Sequence, residues 1–138
     1  MTQATKQFRK RNAILSYLQS TKSHPSADMV YAALKPEIPD LSLGTVYRNL
    51  AMFRQQGSVA SLGTVNGVER FDGNTQPHVH FICTGCSAVV DMPQLQVPVQ
   101  MIHAVQDRIG GMVEDCQLSF SGLCRNCTAQ QVKEGETA

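Results

Sequence analysis

The stretch "DLSLGTVYRNLAMFRQQGSVASLGTVNGVERFD", Asp40 to Asp72, joins one helical pattern to one hairpin pattern. Ser42 is a natural N-cap, Val46, Leu50 and Phe53 fall on one helical face, and Gly57 supplies the stop. Asn66-Gly67 then forms a two-residue hairpin turn between strand-like runs. A hairpin directly after a third helix is the pattern of a winged helix-turn-helix. The two earlier helices are legible upstream. In "RKRNAILSYLQ", residues 9–19, Ile14, Leu15 and Leu18 share a face behind a basic cluster. In "HPSADMVYAAL", Pro25 suits the first turn or the position before it, and Ser26 is a cap. There Met29, Val30, Ala33 and Leu34 are expected to face inward, and Pro36 and Pro39 end the helix.

Past Pro77 the pattern changes to "HVHFIC", "AVVDM", a helix over "LQVPVQMIHAVQDRIGG" and a strand-like run "MVEDCQLSFSGLC". The order β-β-α-β predicts a small α/β unit, so the whole chain reads as α+β. The expected boundaries are 1–73 for a winged-helix DNA-binding domain and 74–138 for the second domain. The tail "AQQVKEGETA" carries no core signal and is expected to be helical, fraying into disorder.

The chain has 138 residues, 42% of them hydrophobic, enough for one domain or two small ones. No apolar run reaches the about 18 residues that would span a membrane. The start, "MTQATKQFRKRNAIL", leads into no apolar h-region or cleavage site, so a cytoplasmic protein with reduced thiols is expected. The net charge of +1 hides an asymmetry. Residues 1–57 hold eight Lys/Arg against three Asp/Glu, giving +5, and the remainder holds four against eight, giving −4. A basic front half points to a polyanion partner. On the third helix Ser42, Thr45, Tyr47, Arg48 and Asn49 occupy the exposed front. Arg can fork onto guanine and Asn onto adenine, while Ser, Thr and Tyr reach phosphates of double-stranded DNA.

Cys83-Thr-Gly-Cys86 and Cys124-Arg-Asn-Cys127 are two C-x-x-C knuckles separated by 37 residues. Two knuckles close a tetrahedral shell of four cysteines, which suits a structural zinc ion whose binding energy is partly folding energy. Paired disulfides would need an oxidising compartment. A redox pair would need one C-x-x-C opening a helix. Cys116 has no partner at ligand spacing and is expected in a strand, packed as a small hydrophobe.

If "HVHFIC" is a regular strand, His78, His80 and Ile82 share one face and Val79, Phe81 and Cys83 the other. The histidines and the first thiolate then serve different sites. His78 and His80 are either ordinary surface histidines or two ligands in need of partners. Asp72 and Asp91 are the nearest carboxylates, and His24, immediately before the second helix, reads first as a helix-capping or surface residue. Such an all-N/O set suits Fe(II) or Mn(II). His103 is given no role.

Together, "HPSADMVYAAL", "LSLGTVYRNLAMFRQQGSV", "ERFD", "PHVHFICTGCSAVVDM" and "GLCRNC" resemble the ferric uptake regulator (Fur) family of bacterial metalloregulators, from about Arg11 to Cys127. The resemblance implies a non-enzymatic, homodimeric repressor that binds palindromic DNA operators, with the second domain as the dimerisation domain. It implies a regulatory Fe(II) or Mn(II) site of His24, Asp72, His78, His80 and Asp91 bridging the two domains as a metal-closed hinge. The Asp of "RFD" resembles the peroxide-sensing PerR branch, in which Fe(II) with hydrogen peroxide would oxidise His24 or His78, open the hinge and release DNA. An iron- or manganese-availability repressor without that chemistry is the alternative, and a thiol redox or electron-transfer protein is a third class. Where relatives carry a "T-P-Q-R"-like segment this chain has "FRKR", with Arg9, Lys10 and Arg11 in reach of phosphates. Histidines found before the last strand of some relatives are replaced by "EDC", so no auxiliary third metal site is expected.

Overall fold

The computed structural model describes residues 2–76 and 78–137, with side chains as far as Val132. The chain divides into two compact units, Met1–Thr75 and Gln76–Ala138.

The first unit holds α1 (Gln3–Ser20), α2 (Ala27–Leu34), α3 (Leu43–Gln56), β1 (Ala60–Val65) and β2 (Val68–Asp72). The sites of capping follow the residue types. The hydroxyls of Ser26 and Ser42 accept from the N–H groups of Met29 and Thr45 at 3.2 and 3.1 Å, opening α2 and α3. Gly57 closes α3 with φ +77°, a left-handed cap that costs glycine nothing sterically. Asn66 and Gly67 both have positive φ, as a type I′ hairpin turn requires, so β1 and β2 pair antiparallel as a wing. The register slips by one residue between Ser61 and Thr64, where Gly63 at φ +78° forms a bulge. Ile14, Val30, Val46, Leu50, Phe53 and Phe71 meet in one core across all three helices and the wing.

Two expectations for this unit need correction. α1 begins at Gln3, capped by Thr2, well before residue 9. Residues 3–11 carry no apolar stripe because that end of the helix is solvated. In α2 the inward residues are Ala27, Val30 and Leu34. Met29 and Ala33 are exposed, because the helix turns a face centred on Val30 to the core.

The second unit is a three-stranded sheet of order β4-β3-β5, with β3 (Val79–Cys83), β4 (Val89–Met92) and β5 (Leu118–Gly122). β4 runs antiparallel to β3 and β5 parallel to it. A parallel partner demands a crossover, and α4 (Val99–Ile109) lies in that connection, followed after β5 by α5 (Arg125–Thr137). Here α4 starts later than expected. Pro98 is its N-cap, so Leu95–Val97 remain irregular. β5 is also shorter than the apolar run suggests. Val113 N–H donates to Gln106 Oε1 and Cys116 N–H to Asp115 Oδ1, so this segment spends amides on side chains instead of a ladder. Cys116 is therefore half-buried outside any strand. The tail is helical to Thr137, and Ala138 lies outside the described residues. Among the described residues no helix is long and apolar enough to cross a membrane.

Gly73 marks a close approach in the first unit, since a Cβ there would collide with the backbone carbonyl of Leu18. Gly73→Ala is expected to destabilise the winged helix by about 2 kcal/mol or more, because backbone cannot yield as a side-chain tip can. A urea titration followed by helical circular dichroism measures this loss.

Candidate metal centres and DNA-binding face

Cys83 ends β3, and the turn that follows carries Cys86. Cys124 follows β5, and Cys127 sits in the first turn of α5. Because β3 and β5 are neighbours with Cys83 opposite Gly122, the two knuckles arrive at one end of the sheet. Their four Sγ atoms lie within 4.8 Å of one another, Cys86 and Cys124 at 4.0 Å. The amides of Cys86 and Cys124 donate to Cys83 Sγ at 3.5 and 3.4 Å. The Cys124 amide first, then that of Cys86, pulls the Cys83 thiol down to about 6. Cys127 donates into the same cluster, to Cys124 first, and is pushed up to about 12. Gly85 is needed between the first pair, since a Cβ there would stand 2.9 Å from Cys127 Sγ. Four convergent sulfurs with N–H donors behind them fit a tetrahedral thiolate zinc site.

At the start of β3, His80 on the strand and His78 just before it form a separate cluster in this unit. His80 stands directly opposite Asp91 in the β3–β4 register. His78, two residues earlier, lies on the same face, and its ring centroid is 4.2 Å from that of His80. Both Nε2 atoms are 3.2 Å from Asp91 Oδ1. His78 Nδ1 meets the carbonyl of Gln76 at 2.5 Å, and since a carbonyl only accepts, Nε2 is left as the ligand atom. The structure thus keeps Cys83 and His80 in different clusters, as strand alternation requires.

In the first unit, His24 and Asp72 are both buried, with Nε2 and Oδ2 3.5 Å apart. His24 has φ +51°, a left-handed backbone that a non-glycine residue adopts only when its surroundings hold it there. Asp72 Oδ1 accepts from Asn74 N–H at 2.8 Å. Arg70, which no motif singles out, donates to the carbonyls of Ser23 and His24. The available signal was its place two residues before Asp72, on the same face of β2.

The residues expected to read DNA sit at the front of α3, apart from Arg11, which is exposed on α1. Ser42 Oγ and Thr45 Oγ1 are 2.8 Å apart, Arg48 donates to Thr45 Oγ1 at 3.1 Å, and Asn49 donates to Thr45 O at 2.8 Å. Tyr47 is 53% exposed. Ser42 is thus a cap as well as a surface group, while Tyr47 and Arg48 are presented to solvent.

The sequence model of the ferric uptake regulator family matches residues 2–121. The peroxide-responsive repressor PerR of Staphylococcus epidermidis is 40% identical over 119 residues, 85% of this chain and 77% of that protein. The PerR of Staphylococcus aureus strain USA300 is 38% identical over the same length, covering 85% and 78%. The crystal structure of the Campylobacter jejuni peroxide stress regulator superposes with a TM-score of 0.76 at 27% identity, covering 89% of this chain and 92% of that one.

The purified protein should carry about one zinc per chain and Cys124→Ser near none, read by metal analysis. Zinc affinity should fall as pH is lowered, because Cys127, pushed up to about 12, enters the cluster protonated and must release its proton on binding. Chelator competition at several pH values checks this, and an affinity that does not change with pH would contradict it.

Proposed function

Since the chain belongs to the ferric uptake regulator family and is a metal-dependent regulator of that family, we propose that it represses transcription as a peroxide sensor. In this reading it binds palindromic double-stranded operators while Fe(II) or Mn(II) occupies His24, Asp72, His78, His80 and Asp91, and zinc occupies the four cysteines.

The observation that carries the reading is the meeting of two imidazole Nε2 atoms on one Asp91 oxygen, 3.2 Å from each. Two histidines and one carboxylate with open positions are the donor set of non-haem Fe(II) sites. Three donors do not complete such a shell, and His24 with Asp72 offers two more of the same N/O character. A buried carboxylate and imidazole beside one another favour a cation between them. Joining the two sets through one ion would make metal the ligand of a closed state and shift the population towards it.

Each residue then has a stated task. His78, held through Nδ1 by the Gln76 carbonyl, and His80, held in β3, orient Nε2 as a ligand. Asp91 offers a carboxylate from the adjacent strand, and His24 with Asp72 contributes from the winged-helix unit. Fe(II) held by these residues would supply the means to activate hydrogen peroxide; the ring of His24 or His78 would then give two electrons and take one oxygen atom, the other leaving as water. An oxidised ring is a poorer ligand, so the closed state loses its advantage. Tyr47, Arg48 and Asn49 on α3 would face base edges and phosphates, with Ser42, Thr45 and Arg11 contacting the backbone. The second unit leaves Val99, Met101, Val105, Ile109 and Phe120 about half exposed or more. Apolar area of that kind supports self-association as a homodimer, which would set two recognition helices on two half-sites.

The test loads the zinc-containing protein with Fe(II) or Mn(II), adds a low dose of peroxide, and weighs the tryptic peptides carrying His24 and His78. DNA binding is followed on a duplex selected by the Mn(II)-loaded protein. Gain of one oxygen and loss of DNA with iron only is the expected result. Iron-loaded protein that keeps both its mass and its DNA would instead be a metal-availability repressor.

A further inference from the structure

The loop before α2 is stitched to β2 by three consecutive strand residues. The Arg70 guanidinium donates through Nε to the carbonyl of His24 and through a terminal nitrogen to that of Ser23, the latter at 2.7 Å. Phe71 N–H donates to the carbonyl of Pro25 at 2.9 Å. Asp72 Oδ2 then meets His24 Nε2 at 3.5 Å. Arg70 is only 7% exposed, so its charge faces the loop and not solvent or a DNA backbone.

We infer that Arg70 is a positioning residue for the metal site: its two carbonyl contacts hold the Ser23–His24 backbone in place, so that the His24 imidazole and the Asp72 carboxylate are aligned before metal arrives. The inference rests on the metal-site reading above. His24 carries φ +51° and is followed by Pro25, a combination the chain does not adopt unaided. Two charge-assisted hydrogen bonds to adjacent carbonyls hold it there. The fork geometry is specific to arginine. Lysine brings the same charge but a single ammonium point, which cannot span two carbonyls with a fixed angle between them. Arg70 and Asp72 lie on one face of β2, so the strand that offers the ligand also offers its brace. Groups that orient metal ligands typically change metal affinity by about 10- to 100-fold when removed.

The experiment uses the whole 138-residue chain loaded with zinc, and Mn(II) alone as probe. Mn(II) binding is followed by electron paramagnetic resonance for the wild type, Arg70→Lys and Ile14→Val. Ile14 belongs to the buried core and takes no part in the Arg70 contacts, so Ile14→Val controls for general loss of stability. Exchange of the Phe71 amide is measured in the absence of Mn(II). Arg70→Lys should bind Mn(II) about tenfold more weakly or worse and expose the Phe71 amide to faster exchange. It should retain its zinc and lose no more thermal stability than Ile14→Val, whose Mn(II) affinity stays within about twofold of wild type. Equal affinity in Arg70→Lys and wild type overturns the inference. So does equal loss in Arg70→Lys and Ile14→Val, or failure of Arg70→Lys to fold, since the role would then be stability alone. Absence of any Mn(II) binding by the wild type would sink the metal-site reading itself, and this inference with it.

Discussion

The two-residue period of β3 is the constraint from which the ligand arrangement of the second unit follows, because His80 and Cys83 stand three positions apart and must point to opposite faces. The neighbours complete each face. β4, antiparallel, sets Asp91 across from His80, and β5, parallel, brings the chain past Gly122 to Cys124 beside Cys83. Oxygen and nitrogen donors are thereby gathered on one side and thiolates on the other. Sulfur donors suit zinc, while imidazole and carboxylate suit Fe(II) or Mn(II), so the two faces of one strand offer chemically different donor sets. A slip of one residue in this strand would exchange the faces and mix the sets.

The two units differ in what holds them. The winged-helix unit has a continuous apolar core running from Ile14 through Val46 and Leu50 to Phe71. In the second unit, the buried apolar side chains among the described residues are Val79, Val89 and Cys83. So small a core gives little folding energy of its own. A metal ion closing the four-cysteine cluster would tie β3 to β5 and α5 and supply what is missing. The histidine and aspartate cluster would carry no such burden if it gains and loses a metal as proposed. In the proposed reading, stability and switching would fall to different ions.

What was legible in the sequence was local and periodic. Ser26 and Ser42 announced their helices because a hydroxyl three residues before an unsatisfied N–H has one natural partner. Asn66-Gly67 announced the wing, the paired C-x-x-C motifs announced the thiolate cluster, and the alternation of "HVHFIC" separated it from the histidines. Asp91 was legible as the first carboxylate after the histidines in sequence, and strand pairing sets it opposite His80. What escaped was set by tertiary context. The solvated front of α1 has no apolar stripe to show where the helix begins, and Met29 lost its inward place to Ala27 through a rotation no local rule specifies. The start of β5 depended on Gln106 and Asp115 capturing amides. Arg70 reaches a loop 46 residues away, a contact with no periodic signature.

In the proposed reading one strand separates two chemically distinct metal centres. X-ray absorption at the zinc and manganese edges, on protein carrying both ions, tests it directly. Zinc should show four sulfur neighbours at about 2.3 Å and manganese only nitrogen and oxygen. Sulfur in the manganese shell, or imidazole nitrogen in the zinc shell, would contradict the account.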